Sequence, residues 1–334
     1  MGSKVRIGIA GVSGFGGSEL LRLCLGHPSL EVAYASGEST VGQTLGQRFP
    51  ALAGNAAAAI TIEPFVPEKL GGIDLLFASL PTGKSAEPLS RVPSSTKVVD
   101  VGGDHRDSPG WVYGLTELPG QRTRIASATR LANPGCYPAA ALLALAPLVA
   151  AGLVEPEGIA IDAKSGVTGT GRGGSSDFGY AETNEDLFAY GLGGHPHVPE
   201  IRRTLALLAG STASVAFTPH LVPMTRGILA TCYARPRGKV DTAQLYAAAE
   251  SAYRGEPFVK IVAAERGRGP HTKWASGSNL VFLSYAVNPD AGLIVAVAAI
   301  DNLGKGAAGQ AMQNANLMTG QDETAGLAGL PLWP

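Results

Sequence analysis

One cysteine stands between a Pro-Gly turn and a long apolar run in the segment RLANPGCYPAAALLALAPL, residues 130–148. The run is rich in alanine and leucine and predicts a helix, and Pro138 suits its first turn. A helix N-terminus lowers the pKa of a thiol through its N–H groups and its dipole, and the thiolate is the reactive form. We therefore predict that Cys136 is a nucleophile presented at the start of a helix.

The other two cysteines fit a structural role. Cys24 lies within LLRLCLG and Cys232 lies within ILATCYA, and both segments are apolar. We expect both thiols to be buried, as free cysteines often are. Three cysteines are too few for a disulfide framework, and none is spaced with another for metal binding, so we expect no metal and a reducing cytosol.

A nucleophilic thiol needs a group that exchanges protons near neutral pH, and histidine is the side chain whose unperturbed pKa suits that role. His195 and His197 flank Pro196 in the glycine-rich loop YGLGGHPHVPEI, ahead of a helix predicted to begin near Pro199. We predict an acid/base in this loop. A metal site is the alternative, but it lacks nearby carboxylates or thiols at ligand spacing. We expect His27, at the end of an earlier helix, to be a surface cap.

A glycine-rich loop, GVSGFGG at residues 11–17, follows the first predicted strand. Glycines at such a turn let the backbone approach a pyrophosphate, which then lies on the helix N-terminus. The spacing is G-x-x-G-x-x-G rather than G-x-G-x-x-G, so a plain strand-to-helix turn is the alternative. The dinucleotide contacts that we expect are Gly11, Ser13, Gly14, Phe15 and Gly16.

The end of the second predicted strand, AYASGEST, bears on which dinucleotide is bound. An NAD site usually has Asp or Glu here, on the ribose 2′-hydroxyl. This segment offers the hydroxyls of Ser36, Ser39 and Thr40, which favours NADP(H). Glu38 speaks against it, because a carboxylate would repel a 2′-phosphate, and no arginine is nearby in sequence.

The order of predicted elements changes at Cys136. Before it, the strand-like runs KVRIGIAG, LEVAYAS, IDLLFASLP, TKVVDVGG and TRIASAT alternate with helices or loops, which indicates a doubly wound parallel sheet. After it come longer strands, GIAIDAKSG, ASVAFTPHLVP, RGILATCYARP, NLVFLSYAV and GLIVAVAAID, with the amphipathic helices VPEIRRTLALLAG and DTAQLYAAAESAYRG. We predict an α/β protein with a Rossmann-type parallel-sheet domain and an α+β domain built on a large mixed sheet.

Composition excludes several classes of function. The 334 residues carry a net charge of −1, so no basic field indicates nucleic-acid binding. No apolar run reaches the ~18–20 residues that span a bilayer. The first residues pass directly into a strand-like run, so we expect no secretory signal and a cytoplasmic protein.

Eight motifs occur in one order along nearly the whole chain: GVSGFGGSELLRL, ASLPTG, VDVGGDHR, NPGCYPAA, KSGVTGTGR, HPHVPEI, TPHLVPMTRGIL and AIDNLGKGAAGQAMQ. Together they resemble the N-acetyl-gamma-glutamyl-phosphate reductase family of arginine biosynthesis. That family shares its fold and chemistry with aspartate-semialdehyde dehydrogenase and glyceraldehyde-3-phosphate dehydrogenase.

The resemblance implies a domain organisation and a reaction. The NADP-binding domain would comprise residues 1–135 and 303–334, and the catalytic and oligomerisation domain residues 136–302. The reaction would be NADPH-dependent reduction of an acyl phosphate through a thioester on Cys136. His197 would be the acid/base and His195 a pocket residue, although Pro196 stands where the family commonly has arginine. A homodimer or homotetramer is expected.

Further site residues follow from the same resemblance. Ser79, Pro81 and Asn302 would lie near the cofactor. An acyl phosphate and a carboxylate need cationic or N–H partners, so the substrate candidates are Ser165, Arg172, His220 and Arg226, with Lys164 beside them. Two alternatives stay open: a reductase acting on aminoadipate or glutamate phosphate held by an acidic carrier protein, and a dinucleotide sensor without activity.

Overall fold

The computed structural model describes residues 4–172 and 180–332, and in it the chain divides into two compact units. The first unit holds the described residues up to Pro134 together with Ala307–Ala328. The second runs from Gly135 to Gly306 and takes up again at Gly329. Gly135 and residues 303–306 and 329–332, which we expected with the N-terminal domain, group with the second unit.

A six-stranded sheet forms the centre of the first unit, in the order β2-β1-β3-β4-β6-β5, and each pairing is parallel. Its strands are β1 (Val5–Ala10), β2 (Leu30–Ser36), β3 (Leu75–Ala78), β4 (Lys97–Asp100), β5 (Val112–Tyr113) and β6 (Arg130–Ala132). The inner strands are buried on both faces, as parallel strands between helices must be. The predicted doubly wound sheet is confirmed.

Four helices connect these strands: α1 (Phe15–Leu25), α2 (Leu45–Arg48), α3 (Ala86–Ser90) and α4 (Gln121–Ala126). The prediction of a fifth strand at TRIASAT is wrong, because α4 occupies most of it and β6 begins at Arg130. The helix starts after Gly120, which has a φ of +72° that glycine adopts without strain. Ile125 is the only buried residue of this helix, so the alternation of apolar residues in TRIASAT does not correspond to one buried face of a strand.

A seven-stranded sheet forms the centre of the second unit, in the order β11-β12-β13-β10-β7-β9-β8. Pairs β7–β9 and β11–β12 are parallel and the other four are antiparallel, which confirms the predicted mixed sheet. The strands are β7 (Ile159–Gly166), β8 (Phe188–Ala189), β9 (Val215–Val222), β10 (Ile228–Ala234), β11 (Val259–Ile261), β12 (Val281–Asn288) and β13 (Leu293–Ile300).

One face of this sheet is covered by helices. The helices of the unit are α5 (Cys136–Ala150), α6 (Tyr180–Thr183), α7 (Val198–Ala209) and α8 (Thr242–Ala252). Helix α5 is buried almost all round, in contact with β10, β13, α7 and α8. The alternate residues of β7, β9 and β10, among them Asp162, Lys164, Thr218, His220 and Thr231, are half-exposed. We call the face that they form the open face.

Shorter turns complete the backbone. Single turns of 3-10 helix occupy Pro50–Leu52, Ala56–Ala59, Pro67–Lys69, Val167–Thr170 and Thr272–Trp274. A π-turn at Gly304–Ala308 follows β13 and leads into α9 (Gly309–Met318). In the first unit α9 contacts α1, α4 and β4.

Helix α9 covers one histidine of the first unit. We expected His27 at the surface, but it is buried, with only 4% of it exposed. Its Nε2 bonds the Oδ1 of Asn316 on α9 at 3.1 Å, and its Nδ1 accepts the N–H of Ser29 at 3.1 Å. The expectation was wrong because the residues that cover His27 lie almost 300 positions later in the chain.

Candidate active site

The glycine loop makes a turn in which side chains have no room. Gly11 has a φ of +78°, and a Cβ on it would lie 2.2 Å from the carbonyl oxygen of Ser79 at the end of β3. A Cβ on Gly17 would lie 2.1 Å from the oxygen of Gly11, and one on Gly16 would lie 2.8 Å from Ser79 Oγ. The loop therefore needs glycine at these positions, and it brings Ser79 against the start of α1.

The start of α1 has no side-chain cap. Gly14 is its N-cap, in an extended conformation, with no side-chain cap and no acidic residue in the first turn. The first N–H groups of a helix have no partner within the helix, and its dipole favours an anion there. Gly11, Gly14, Gly16 and Gly17 lie at this helix end and have no Cβ atoms, and we call them the cradle. Such a site fits the pyrophosphate of a dinucleotide.

The end of β2 lies next to this loop. The N–H groups of Gly11 and Val12 donate to the oxygen of Ser36 at 3.0 and 2.9 Å. The hydroxyls of Ser13 and Thr40 are hydrogen-bonded to each other. Ser36 and Thr40 are buried, whereas Glu38 and Ser39 are exposed. The sequence-predicted residues Gly11, Ser13, Gly14, Gly16, Ser36, Thr40 and Ser79 thus form one continuous region.

The loop that carries Ser79 and the exposed Pro81 is held by a carboxylate that the sequence analysis left unassigned. Asp104 accepts the N–H groups of Gly83, Ser85 and Ala86 at 2.6, 2.9 and 3.2 Å, and the Ser85 hydroxyl at 2.9 Å. Burial alone would raise the pKa of Asp104, but these donors outweigh it and lower the pKa. The VDVGGDHR motif therefore fixes the loop.

Cys136 is the first residue of α5, whose N-cap Gly135 provides no side-chain cap. Cys136 is half-exposed, whereas the other two free cysteines, Cys24 and Cys232, are buried as expected. Burial raises the pKa of the Cys24 thiol and raises that of Cys232 to about 12. Cys136 is thus the thiol among the three that is placed for reaction.

The N-termini of α5 and α7 are joined by a buried carboxylate. The N–H of Gly135 donates to Oε1 of Glu200 at 3.0 Å, and Glu200 lies in the first turn of α7. His197 is the N-cap of α7, and His195 precedes it in the loop. The sequence-predicted Cys136 and His197 therefore stand at the starts of two helices that one hydrogen bond links.

Aromatic rings surround the two histidines. The ring centroids of His195 and His197 are 4.8 Å apart, and Tyr137 lies 5.9 and 6.0 Å from them. His195 Nδ1 accepts the N–H of His197 at 3.2 Å, so in its neutral form His195 carries its proton on Nε2. Burial lowers the pKa of His195, which favours that neutral form.

Two tyrosines belong to this cluster and were missed by the sequence analysis. The hydroxyls of Tyr137 and Tyr190 are 3.1 Å apart, and the hydroxyl of Tyr137 donates to the oxygen of His220 at 3.2 Å. Burial raises the pKa of both phenols, that of Tyr190 to about 12. The signal was available, because Tyr137 adjoins the cysteine and Tyr190 opens the histidine loop.

Two loops at the ends of β7 and β9 carry other predicted residues. Asn302 Oδ1 accepts the N–H of Gly227 at 2.7 Å, and its Nδ2 donates to Thr168 at 2.9 Å. Thr168 in turn donates to the oxygen of Thr225 at 2.7 Å. The amide of Asn302 thus braces the loop that ends at Arg172 against the loop that carries Arg226, and its contact with a cofactor stays a prediction.

The structure separates one substrate candidate from the others. His220 Nδ1 lies 3.1 Å from Asp162, and Lys164 Nζ lies 2.7 Å from the same carboxylate, all on the open face. Phe217, on the other face of β9, contacts Tyr137 and His195. Side chains alternate along a strand, so His220 and Lys164 point away from that aromatic cluster. Ser165 faces the covered side and is buried.

Within residues 4–172 and 180–332, no helix is long and apolar enough to cross a membrane. In the same part of the chain, no group of three or more His, Cys, Asp or Glu side chains is arranged to hold a metal ion.

Comparison with known proteins places this architecture. Residues 6–128 match the model of the semialdehyde dehydrogenase NAD binding domain, and residues 136–302 match that of the semialdehyde dehydrogenase dimerisation domain. Aspartate semialdehyde dehydrogenase II from Vibrio cholerae, solved with ASA, aligns with a TM-score of 0.75 at 15% identity, over 95% of this chain and 99% of that one. The NADP complex of the Candida albicans enzyme aligns with a TM-score of 0.71 at 13% identity, over 94% and 98%. The fold is that of the semialdehyde dehydrogenases.

Relatives with higher identity narrow the class. Proteins named N-acetyl-gamma-glutamyl-phosphate reductase are 56% identical in Bradyrhizobium sp. (strain BTAi1) and 54% identical in Methylobacterium sp. (strain 4-46), each over 99% of this chain and 100% of the relative. One from Salinispora arenicola is 43% identical over 99% of both. The chain belongs to the N-acetyl-gamma-glutamyl-phosphate reductase family. The predictions of the family, of an oxidoreductase and of a nicotinamide dinucleotide cofactor are confirmed, and the carrier-linked alternative is not favoured.

Proposed function

We propose that this protein reduces N-acetyl-gamma-glutamyl phosphate to N-acetylglutamate 5-semialdehyde and phosphate with NADPH, in the cytoplasm, as a step of arginine biosynthesis. One observation supports it above the others: a half-exposed thiol at a helix start, joined through Glu200 to the helix start that carries the paired histidines. A covalent route needs this pairing of a nucleophile and a proton-transfer group.

The cofactor would lie on the cradle of the first unit. Gly11, Ser13, Gly14, Phe15 and Gly16 would hold the pyrophosphate, Ser36, Ser39 and Thr40 the 2′-phosphate side, and Ser79 and Pro81 would lie near the cofactor. Asn302 stays a predicted cofactor contact. NADPH, when bound, supplies the hydride that reduces the thioester carbon. The glycines contribute close approach, because a Cβ at Gly11 or Gly16 would meet Ser79.

The thiolate of Cys136 attacks the acyl carbon, a C–S bond forms, the C–O bond to phosphate breaks, and phosphate leaves. After reduction, the oxyanion of the thiohemiacetal re-forms its carbonyl. The C–S bond breaks, and Cys136 is released as thiolate with the aldehyde as product. Covalent capture holds the carbonyl carbon in one place for both steps.

His197 would transfer the protons of these steps, and His195 would hold His197 in place. The hydrogen bond from His197 N–H to His195 Nδ1 supports this division, because it ties the second histidine to the first. Arg226 and Arg172, with Ser165, would bind the carboxylate and phosphate groups of the substrate. His220 would have no part in that contact, since its side chain lies on the open face.

A homodimer is the expected assembly, with a homotetramer as the larger form. The open face supports this proposal, because half-exposed apolar residues such as Leu229, Val295 and Val297 adjoin the Asp162 cluster there. The second unit matches a dimerisation domain, and a sheet face with half-exposed side chains is a surface on which an interface between two copies can form. Light scattering on the purified protein tests the state.

The reaction is tested in reverse, by phosphate-dependent reduction of NADP⁺ with N-acetylglutamate semialdehyde. Aspartate semialdehyde and glyceraldehyde-3-phosphate serve as competing substrates. We expect the highest kcat/KM with N-acetylglutamate semialdehyde and none of the activity without phosphate. A higher kcat/KM with either competitor would contradict the proposed substrate.

Cofactor preference is tested separately, by fluorescence titration with NADPH and NADH. We expect tighter binding of NADPH, because the end of β2 presents buried hydroxyl residues rather than a buried carboxylate, while Glu38 is exposed. Equal or tighter binding of NADH would show that Glu38 holds the ribose.

A further inference from the structure

A single buried carboxylate connects three segments of the second unit. Asp301, at the end of β13, is fully buried. Its Oδ1 accepts the N–H groups of Leu303 and Gly304 at 2.8 and 3.1 Å, and its Oδ2 accepts that of Gly277 at 2.5 Å. Both oxygens also face Nε of Arg226, at 3.1 and 2.9 Å. A charge removed from water needs this many donors to be tolerated.

The contact with Arg226 sets the direction of the guanidinium. Nε is the nitrogen closest to the main chain, and the guanidinium is planar, so fixing Nε fixes the plane in which the terminal nitrogens lie. Arg226 is largely buried on a loop whose backbone is also tied to its neighbours, because Gly227 N–H donates to Asn302. The carboxylate thus fixes the plane of the Arg226 guanidinium.

The contacts with Leu303 and Gly304 set the start of the π-turn. The main-chain oxygen of Asp301 accepts the N–H of Gly306 at 2.9 Å. A Cβ on Gly306 would lie only 3.0 Å from the Cβ of Cys136, so this turn forms the wall behind the nucleophile. π-Turns within helices are frequent at functional sites.

We propose that Asp301 is a positioning residue that orients Arg226 toward the substrate and at the same time holds the π-turn against Cys136. The inference rests on the proposed function, since it takes Arg226 as a substrate ligand and Cys136 as the nucleophile. It assigns to the aspartate of the DNLGKGAAGQA motif a role in two parts of the site. Asp301 itself contacts no reacting atom.

The first test is Asp301→Asn. In either rotamer its amide nitrogen replaces an oxygen that accepts main-chain N–H groups and faces Arg226 Nε, so donor would meet donor and these contacts must break. We expect KM for N-acetylglutamate semialdehyde to rise about 10–100-fold, as for loss of a hydrogen bond to a charged group. We expect the alkylation rate of Cys136 by iodoacetamide to fall several-fold as well. The Kd for NADPH should stay within about twofold, which loss of the whole fold would not permit.

Two further variants separate the two parts of the role. Arg226→Gln should raise KM by a similar factor and leave the alkylation rate of Cys136 unchanged. Gly306→Ala should change the alkylation rate, because its Cβ pushes on that of Cys136, and change KM little. The double variant Asp301→Asn/Arg226→Gln should raise KM no further than Asp301→Asn alone, since coupled residues are not additive.

Ser284→Ala is the control for a general loss of stability. It removes a buried hydrogen bond to the oxygen of Val262 in the same unit, away from the loops of Arg226 and the π-turn. We expect KM and alkylation rate as in the wild type. If Asp301→Asn does not fold, Asp301→Glu, which keeps the charge but displaces the carboxylate, should show the same rise of KM.

The outcomes distinguish this inference from the proposed function. A wild type without phosphate-dependent activity would remove the proposed function, whatever the variants do. An active wild type with unchanged KM and alkylation rate in Asp301→Asn would overturn the positioning role alone. Additive effects of Asp301→Asn and Arg226→Gln on KM would likewise show that Asp301 does not act through Arg226.

Discussion

Helices α1 and α5 begin in nearly the same way and are used differently. Each has a glycine N-cap in an extended conformation, Gly14 with φ −70° and ψ 167° and Gly135 with φ −68° and ψ 155°. Neither has a side-chain cap or an acidic residue in its first turn. The dipole and the N–H groups at both ends therefore favour negative charge.

The residues that follow each cap determine which negative group we propose there. Helix α1 continues with Phe-Gly-Gly, and its two glycines leave room for the dinucleotide phosphate of the proposed function. Helix α5 continues with Cys-Tyr-Pro, so the negative group of the proposed function is the thiolate of Cys136. A carboxylate, Glu200, and the π-turn then fix the start of α5, whereas the start of α1 is fixed by its own loop and Ser79. In the proposed function, the start of α1 binds the cofactor and the start of α5 carries the nucleophile.

The largest expected effect comes from removing the reactive group. Cys136→Ser should lower turnover by at least about 10³-fold, because a hydroxyl at this position is a poor nucleophile without strong activation. NADPH affinity, measured by fluorescence, should change no more than a few-fold. Retention of most of the activity would contradict the covalent route.

The buried cysteines give the contrast to this result. Cys24→Ser and Cys232→Ser place a hydroxyl in an apolar core, so they should lower the free energy of unfolding by about 1–3 kcal/mol. Turnover at a temperature where the variants are folded should stay near that of the wild type. Alkylation of the native protein should label Cys136 and spare both of these residues.

The next effect tests the start of α7. His197→Asn should lower turnover by about 10²–10⁴-fold, the usual contribution of general acid–base catalysis. His195→Asn should cost less, because His195 acts through its hydrogen bond to the His197 N–H. Both variants are compared at matched thermal stability.

The opposite order of these two losses would exchange the roles of the histidines. Near-normal turnover in His197→Asn would show that His197 serves only as the N-cap of α7, since asparagine is also a good cap. This result would leave the comparison of α1 and α5 intact but would remove histidine from the reaction.

A smaller effect tests the binding end. Gly16→Ala should weaken NADPH binding roughly tenfold or more, since its Cβ occupies the cradle 2.8 Å from Ser79 Oγ, and a loss of about 1.4 kcal/mol is tenfold. The alkylation rate of Cys136 should not change. Gly26→Ala is the matched control on the same helix, because its Cβ would meet nothing closer than 3.6 Å. Equal NADPH affinity in both variants would show that α1 does not bind the phosphate.

How much of this was predictable depends on whether the determining residues are close in sequence. The glycine loop, the helix after Cys136 and the long strands of the mixed sheet each have a local pattern, and the structure has them where the pattern indicated. The strands β5 and β6, of two and three residues, have too little sequence to carry a pattern. The alternation in TRIASAT was equally short, which is why it was misread.

Contacts between distant segments were not predictable. Asn316 and Gly326 bury His27, and the sequence around His27 does not indicate these contacts. The alternation along β9 does indicate that Phe217 and His220 lie on opposite faces, but not which face the helices cover. Asp301 adjoins a residue that was singled out, Asn302, yet its partners Arg226 and Gly277 are brought to it only by the fold.

The smallest expected effect is a loss of stability in acid, and it involves two histidines whose Nδ1 atoms each accept a main-chain N–H. Nδ1 of His27 accepts the N–H of Ser29 beyond the end of α1, and Nδ1 of His195 accepts the N–H of His197 ahead of α7. Burial lowers the pKa of both, and the bond to Asn316 only partly offsets this for His27. A lowered pKa in the folded state means that the unfolded state binds more protons. The contribution of these histidines to the free energy of unfolding is therefore fully present above pH 6.5 and is lost as the pH falls through the folded-state pKa.

Thermal unfolding of the wild type should therefore show a falling Tm from pH 7 to pH 5. His27→Gln, which has no proton to gain, should have a lower Tm at pH 7 and a shallower decline below it. The same slope in wild type and variant would show that His27 keeps its proton balance on unfolding, and that the acid sensitivity belongs to the α7 end alone.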